Sequence, residues 1–383
     1  MWRIWLLQAL LRGQNLCMSF LRYLVYKGRP ADFQPRKICI YRIGNVGDLL
    51  CTIPALWQIR RRYPQAALTL LSSPGQKGGM SANQVLAGFG CLDDIQLYYP
   101  EDLRGWTNFQ IFRKRLRAMQ FDYFIQIPAA GAHFLRQLRN LVFFRFAGFQ
   151  RAEGFYLSSS DYFLRAQLQY MHYPYEVERC VRGLPFAADE KIEFRFVPEK
   201  KEEELVLQVL QRKIAQGRRP LLAISFSGKK SVQKWPLDRF SAIAERWVTE
   251  REGIVAVIGG NAEREGAEQI RQQMSAESQS FLVNLCGEFS IRESMVFLQH
   301  CRLLLSIDTG TAHMSSVTGT PCIDLCSAYN LPGQWFAYGE WVKILRRDLP
   351  CSPCGLVKCP RAEYAECMQA ITVDEVWQQM MEL

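Results

Sequence analysis

The stretch Lys-Ile-Cys-Ile-Tyr-Arg-Ile-Gly-Asn-Val-Gly-Asp, residues 37–48, decides the fold class. It begins as an apolar, β-rich run typical of a buried strand, and the Gly-x-x-Gly-Asp turn that ends it leads into a helical pattern. Glycines let the backbone of such a turn come close to a ligand, and the amides at a helix start attract anions. The stretch therefore predicts the strand, turn and helix of an α/β domain with a ligand-binding turn.

Short β-rich runs and longer helical patterns alternate outward from this stretch, which predicts parallel sheets covered by helices. In the first series we expect strands at 37–43, 67–72, 95–98, 122–127 and 151–155, helices at 56–63, 107–119 and 134–146, and an irregular region at 161–198. In the second we expect helices at 199–216, 236–251, 262–276, 291–301 and 311–318 and strands at 221–225, 254–258, 281–284, 303–307 and 322–325.

Two consecutive domains of similar size follow from this alternation. We place a basic amphipathic segment at residues 1–35, a first Rossmann-like domain at 36–198 and a second at 199–371. A helix at 372–383, which we expect to pack back on the first domain, completes the chain.

The N-terminal segment is cationic and amphipathic. Residues 1–30 contain no acidic residue, and Trp, Leu and Phe side chains surround the basic residues Arg3, Arg12, Arg22, Lys27 and Arg29. Polar residues interrupt the apolar run, so the segment lacks the core of a signal peptide and the ~18 consecutive apolar residues of a spanning helix. Two interpretations stay open: a helix lying in the plane of an anionic membrane surface, and a helix whose apolar side packs on the protein itself.

Charge and cysteine content narrow the class of protein further. Lys and Arg outnumber Asp and Glu by 47 to 37, which favours anionic partners such as nucleotides and phospholipids. The 13 cysteines are scattered and odd in number, so we expect free thiols in a reducing cytosol. Four of them have the spacing C-x2-C-x4-C-x7-C, which leaves open a structural zinc site, packing thiols or disulfides at Cys351, Cys354, Cys359 and Cys367.

Asp48 is the candidate catalytic residue of the first domain. It ends the glycine turn at the carboxyl end of the first strand. A carboxylate there can take a proton from a sugar hydroxyl, but the same residue at a helix start can also serve as an ordinary cap. Local sequence alone favours the cap.

Two turns of the second domain carry candidate phosphate and ribose ligands. The turn after its first strand contains Ser227 and three lysines, just before a helix that we expect to begin at Pro236. It is not a P-loop, because Ala223 stands where that motif requires glycine. Glu263 follows a Gly-Gly pair and suits either ribose hydroxyls or the first turn of a helix.

The segment Asp-Thr-Gly-Thr-Ala-His, residues 308–313, follows a buried strand and opens a helix. Unpaired amides at a helix N-terminus can bind a diphosphate, so we expect Asp308, Thr309 and Gly310 beside the phosphates. His313 lies one turn into the helix, as either an additional phosphate ligand or a structural histidine.

In their order and spacing, these pieces resemble glycosyltransferase family 9, the ADP-heptose:lipopolysaccharide heptosyltransferases. The resemblance runs from about residue 37 to the C-terminus, and it is carried by segments 42–56, 234–236, 259–263, 284–287, 308–313 and 319–321. It implies an α/β GT-B fold, in which two Rossmann-like domains face a central cleft. The acceptor would bind the first domain and the nucleotide sugar the second.

The resemblance also assigns roles to residues. Asp48 would be the general base of an inverting transfer, beside an acceptor-side loop formed by Gly44, Asn45 and Gly47. The donor-binding residues would be Ser227, Lys234, Glu263, Asp308, Thr309, Gly310 and His313. The lysine that binds phosphate in the family corresponds to Gln233 here, so we expect Lys234, or Lys230 or Lys229, to replace it.

The implied reaction moves a heptose or related sugar from an ADP-sugar to a lipopolysaccharide-core or other cell-envelope acceptor, without a metal or other cofactor for catalysis. The expected partners are ADP-heptose, a lipid-linked glycan and an anionic membrane, with no nucleic acid. The expected location is cytoplasmic, peripheral on the inner face of the bacterial inner membrane. Two alternatives stay open: a nucleotide-sugar-binding protein of this fold without transferase activity, and an epimerase, which would need no acceptor.

Overall fold

The computed structural model describes residues 2–30, 32–131, 133–157, 173–186, 191–214 and 219–383. Contacts divide these residues into two α/β units. The first contains the described residues up to 157 and those of Glu176–Arg195, and the second contains residues 173–175 and those of Phe196–Leu383. The main division along the chain thus falls between Arg195 and Phe196.

The first unit is built on a parallel five-stranded sheet with the order β3-β2-β1-β4-β5. The sequence is apolar in consecutive residues of β1 because both faces of this central strand are covered. The chain order reverses between β1 and β4, and ligands of such sheets bind beside a reversal, beyond the carboxyl ends of the strands. The strands are β1 (Lys37–Tyr41), β2 (Ala67–Ser72), β3 (Asp94–Leu97), β4 (Tyr123–Gln126) and β5 (Ala152–Glu153).

Helices cover both faces of this sheet. Pro54 stands in the first turn of α3, where a missing amide costs no helical hydrogen bond, and Gly148 ends α6 with φ 118°. The helices in the described part of the unit are α1 (Trp2–Val25), α2 (Val46–Leu50), α3 (Ile53–Arg62), α4 (Ala82–Leu86), α5 (Gly105–Ala118), α6 (Phe134–Ala147) and α7 (Glu176–Arg182).

The second unit has a parallel six-stranded sheet with the order β11-β10-β9-β6-β7-β8, which reverses between β6 and β9. Its strands are β6 (Leu221–Ser225), β7 (Ile254–Val257), β8 (Leu282–Asn284), β9 (Leu303–Ile307), β10 (Cys322–Cys326) and β11 (Val342–Arg346). Its described helices are α8 (Lys200–Lys213), α9 (Leu237–Arg251), α10 (Arg264–Gln272), α11 (Ile291–Gln299), α12 (Gly310–Thr318), α13 (Glu366–Gln369) and α14 (Val373–Met381).

The final helix, α14, is part of the second unit. Its apolar residues Val376, Trp377 and Met380 are buried in the core of that unit, together with Trp247 of α9. From the sequence we expect this helix to pack back on the first domain. The structure instead groups it with the second unit because its apolar stripe completes that core.

The N-terminal helix α1 has two apolar faces. Met18 is buried in the core of the first unit, and Asn15 exchanges hydrogen bonds of 3.3 and 2.8 Å with the backbone of Leu157. On the opposite face, the apolar side chains are 51–76% exposed at Trp5, Leu6, Leu10, Leu16, Phe20, Tyr23 and Leu24. The helix thus packs on the protein and still presents an apolar stripe outward. None of the helices in the described ranges is long and apolar enough to cross a membrane.

Several elements differ from the sequence prediction, among them the short helices α4 and α13, which were not predicted. α7 lies in the region expected to be irregular. The sequence does not show its apolar periodicity, because its buried face also carries the charged residues Glu176 and Arg179. β11 was not predicted, since this edge strand is mostly only partly buried and two of its five residues are basic. Pro236 caps α9, which begins at Leu237.

Candidate functional site

Asp48 lies in the first turn of α2, just beyond the carboxyl end of β1 at the reversal of the first sheet. Its Oδ2 accepts the backbone N–H of Asn45 at 2.9 Å, so the cap expected from local sequence is present. Its Oδ1 accepts Nη2 of Arg42 at 3.3 Å. The side chain is 18% exposed, and each carboxylate oxygen keeps a lone pair free of these two bonds, so Asp48 can both cap the helix and accept a proton.

The glycine turn is shaped around this carboxylate. A Cβ built on Gly44 would lie 2.1 Å from Cβ and 2.7 Å from Cγ of Asp48, far inside van der Waals contact. Gly47 belongs to the same first turn of α2 and accepts the amide of Cys51 at 2.9 Å. The glycine of the predicted acceptor-side loop that contacts Asp48 is therefore Gly44.

Arg42 belongs to a buried network of ion pairs and hydrogen bonds. The same Nη2 that meets Asp48 donates to Oε1 of Glu176 at 2.9 Å, and Arg179 donates to both oxygens of Glu176 at 2.6 and 2.5 Å. The carbonyl oxygen of Pro128 accepts from Arg42 at 2.9 Å and from Arg179 at 2.6 Å. Two guanidinium groups and two carboxylates thus form one neutral cluster at the switch point of the sheet.

Burial and charge set the pKa of Asp48 in opposite directions. Burial raises the pKa of this carboxyl, the positive charge of Arg42 lowers it, and the negative charge of Glu176 raises it. The net result is a pKa above the ordinary value. A carboxylate with a raised pKa is a stronger base, which suits proton abstraction at neutral pH.

In the second unit, the ends of β6 and β7 bring two predicted donor ligands together. Oγ of Ser227 donates to Oε1 of Glu263 at 2.8 Å, and the amide of Gly260 donates to Oε2 of Glu263 at 2.8 Å. Glu263 lies in a short 3-10 turn just before α10. Glu263 thus lies at the N-terminal end of α10. A role in ribose binding stays a prediction.

Asp308 follows β9 at the reversal of the second sheet and is 8% exposed. Its backbone oxygen accepts Nε2 of Gln233 at 2.6 Å. Burial raises the pKa of the Asp308 carboxyl to about 6, against the positive charge of Lys230. Lys230 itself is partly buried, with its Nζ 4.0 Å from the ring centroid of Tyr329.

Among the lysines of this turn, Lys230 is the one whose charge acts on Asp308. Which lysine binds the phosphates stays a prediction. The charges of Lys230 and Asp308 act on each other's pKa. Lys234 is exposed and lines a cavity of about 490 Å³ whose wall includes none of the other predicted donor residues. That cavity is lined by Ser231, Lys234, Lys358, Cys359, Pro360, Arg361, Ala362, Glu363 and Tyr364.

The start of α12 combines backbone and hydroxyl groups at the end of β9. Gly310 is its first residue, and Thr309 precedes it with an extended backbone, so the first-turn amides lack helical partners. Oγ of Ser225, at the end of β6, lies 3.1 Å from Oγ1 of Thr311 and ties the helix start to the neighbouring strand. His313 is 5% exposed, as a structural histidine would be, and its role toward phosphate stays a prediction.

The four C-terminal cysteines are not grouped as metal ligands in the structure. They all lie within the described part of the chain, where no group of three or more His, Cys, Asp or Glu side chains is placed to hold a metal ion. All four thiols are free, and three of them, Cys354, Cys359 and Cys367, pack against the core of the second unit. The zinc interpretation is therefore not supported, whereas packing thiols fit the structure.

Sequence reasoning missed Glu176 and Arg179. They lie more than 120 residues after Asp48 in the chain, in the region expected to be irregular. The only local signal is the Glu-x-x-Arg spacing on a short helix, which usually indicates an exposed ion pair. Here both side chains are buried, and only the fold brings them to Arg42.

Known heptosyltransferases are similar to this chain in sequence and in fold. The lipopolysaccharide core heptosyltransferase OpsX of Haemophilus influenzae is 21% identical over 302 residues, covering 77% of this chain and 80% of that protein. The solved family 9 glycosyl transferase of Veillonella parvula has a TM-score of 0.67 at 14% identity, over 91% of this chain and 98% of that one. Escherichia coli heptosyltransferase WaaC, solved with ADP-2-deoxy-2-fluoro heptose, has a TM-score of 0.61 at 14% identity, over 90% and 99%.

The fold and the family follow from these matches. The two parallel sheets with covering helices, together with the similarity to the solved heptosyltransferases, define a GT-B fold with two Rossmann-like domains. The sequence model described as glycosyltransferase family 9 (heptosyltransferase) matches residues 110–365, and this chain belongs to that family.

Proposed function

We propose that this glycosyltransferase transfers a heptose from ADP-heptose to a lipid-linked core glycan, with inversion at the anomeric carbon. The observation that carries the proposal is the Asp48 carboxylate: it is oriented by two hydrogen bonds, has a raised pKa and retains solvent access. The relatives named above as heptosyltransferases, one of them solved with an ADP-heptose analogue, support the sugar and the nucleotide.

In the proposed step, an acceptor hydroxyl attacks the anomeric carbon while Asp48 removes its proton. The bond between that carbon and the diphosphate breaks, and ADP leaves with the bonding electron pair. A positioned base of this kind typically contributes ~10²–10⁴-fold to the rate. No metal takes part in this step, in keeping with what the family resemblance implies.

The donor would bind the second unit at the reversal of its sheet. Glu263 offers carboxylate oxygens to ribose hydroxyls beside Ser227, and the first-turn amides of α12 would take the diphosphate. Lys230 would supply the positive charge that neutralises the leaving group. Burial lowers the pKa of Lys230, and the carboxylate of Asp308 opposes that shift and so helps to keep the ammonium charged.

The test is transfer from ADP-heptose to a purified core acceptor, with Asp48→Asn compared with the wild type. The variant keeps the size of the side chain but loses the base, so we expect turnover to fall ~10²–10⁴-fold with ADP affinity unchanged. Wild-type turnover by the variant would remove Asp48 from the mechanism. Absence of transfer by the wild type, with ADP-heptose hydrolysed or merely bound, would instead identify a binding or hydrolytic protein.

We further propose that α1 attaches the enzyme to the cytoplasmic face of an anionic membrane, where a lipid-linked acceptor would lie. The Trp, Leu and Phe side chains of its outward stripe are 51–76% exposed, and basic residues occur along the same helix. Each basic residue near an anionic surface contributes about 1 kcal/mol to binding. The helix would lie in the membrane plane, because its other face is anchored through Met18 and Asn15.

Sedimentation with vesicles in which one third of the lipid is anionic tests this attachment. A triple variant with Trp5, Leu16 and Phe20 replaced by Ser changes only side chains that are 61–76% exposed. We therefore expect this variant to stay folded but no longer to sediment with the vesicles. A matched control replaces Val197, Leu205 and Leu207, exposed apolar residues of the second unit, with Ser. Equal sedimentation of the two triple variants would refute a membrane role for α1.

A further inference from the structure

The ion pairs that connect Asp48, Arg42, Glu176 and Arg179 are more than a helix cap requires. Arg42 is fully buried and makes its shorter bond, 2.9 Å, to Glu176 and its longer one, 3.3 Å, to Asp48, both from Nη2. Glu176 is fully buried too, and Arg179 grips it with two hydrogen bonds. Glu176 therefore competes directly with Asp48 for the same guanidinium nitrogen.

We propose that Glu176 is a positioning residue for the transfer reaction: by holding Arg42, it keeps that guanidinium from closing on Asp48 and so preserves Asp48 as a base. The proposal rests on the assignment of Asp48 as the general base. Arg179 acts one step further back by fixing the orientation of Glu176. Neither Glu176 nor Arg179 touches the reacting atoms in this scheme.

The physical reason is a conflict between orienting a base and neutralising it. A guanidinium that binds a carboxylate bidentately lowers its pKa by 1–3 units and makes it a weaker base. An Arg42 shared with Glu176 offers the Asp48 carboxylate a single, longer hydrogen bond, which orients the carboxylate at a smaller loss of basicity. The negative charge of Glu176 also raises the pKa of Asp48 directly.

The other ionisable groups around Asp48 do not take over this role. Burial raises the pKa of the thiols of Cys51 and Cys180, which stay neutral at physiological pH. Tyr156 faces Arg179, and burial raises the pKa of its hydroxyl as well. The charged groups whose interactions set the pKa of Asp48 are Arg42, Glu176 and Arg179.

The test is the pH dependence of kcat/KM for transfer, measured for the wild type, Glu176→Gln and Arg42→Gln. The base must be ionised, so activity rises with pH through the pKa of Asp48. In Glu176→Gln, Arg42 is free to close on Asp48, and we expect the acid limb to move down by about one pH unit. The plateau should fall by at most about tenfold, the limit that one pKa unit sets for a weaker base.

Arg42→Gln should move the acid limb in the opposite direction, because a cation beside Asp48 is lost. Opposite shifts in two variants of one cluster cannot arise from a general loss of folded protein. Glu202→Gln is the matched control: Glu202 is equally gripped by a buried arginine, Arg292, at 2.6 and 3.0 Å, but in the second unit. In Glu202→Gln, the acid limb of the pH profile should lie at the same pH as in the wild type.

Each outcome decides the matter. An unshifted acid limb in a folded Glu176→Gln protein would overturn the positioning role, even with Asp48 still essential. If Glu176→Gln does not fold, Glu176→Asp decides: its shorter carboxylate loosens the hold on Arg42, and a smaller shift in the same direction is expected, whereas a wild-type profile would overturn the proposal. Asp48→Asn separates the two assignments, because full activity in that variant removes the general base itself.

Discussion

Gly44 offers the sharpest test of how the turn serves Asp48. A methyl group at this position would start 2.1 Å from Cβ of Asp48 and 2.7 Å from its Cγ. Non-bonded carbons settle at about 3.5–4.0 Å, so either the turn or the Asp48 side chain must move by roughly 1.4 Å. The φ of Gly44 lies outside the left-handed region, so the effect of Gly44→Ala is steric and acts on Asp48.

The magnitude follows from that displacement. A misplacement of about 1 Å in a catalytic group can lower the rate ~10²-fold, equivalent to about 2.7 kcal/mol of barrier. We therefore expect Gly44→Ala to reduce kcat about 10²-fold. ADP affinity should stay within a factor of two, because the proposed nucleotide site lies on the second unit and contains no residue of this turn.

The assay is steady-state transfer with calorimetric ADP binding and a melting curve for each protein. Gly28→Ala is the control, because a Cβ there meets nothing within 4 Å and the residue belongs to the same unit. A folded Gly44→Ala protein with wild-type kcat would refute the reasoning, since the carboxylate would then not need the position that the structure gives it. A large loss of melting temperature in Gly44→Ala would instead locate the effect in folding.

Two further predictions concern the second unit. Lys230→Ala should weaken ADP binding by about 1.5–3 kcal/mol while Lys234→Ala leaves it unchanged, and calorimetry giving the reverse order would restore Lys234 as the phosphate ligand. Burial and the nearby charge of Asp308 raise the pKa of Asp324 to about 8, and its Oδ1 has no hydrogen-bond partner among the described residues. Because the pKa of Asp324 is raised in the folded state, its contribution to folding stability is fully present below the pKa of the unfolded chain. That contribution is lost as the pH rises through about 8. The melting temperature of Asp324→Asn should therefore fall less than that of the wild type between pH 5 and 9, and parallel pH dependences would contradict the shift.

Much of this protein could be predicted from local sequence. Strands β2, β6 and β9 have the predicted bounds, because a buried parallel strand is a short apolar run that ends at a turn. Asp48 and Asp308 could be singled out for a related reason: each follows such a strand at a turn into a helix, and strand ends are where ligands of these sheets bind. The order and spacing of these turns also sufficed to recognise the family.

Only the tertiary structure decided which charges act on these residues. Arg42 precedes Asp48 by a few residues, but Glu176 and Arg179 reach it through the fold alone, and a buried Glu-x-x-Arg pair looks like an exposed one in sequence. The same holds for Lys230 and Lys234, neighbours in one basic run whose side chains meet different surroundings. Sequence periodicity records which residues are apolar, whereas the pKa of a carboxylate depends on charges within a few ångströms, and distant segments supply those charges.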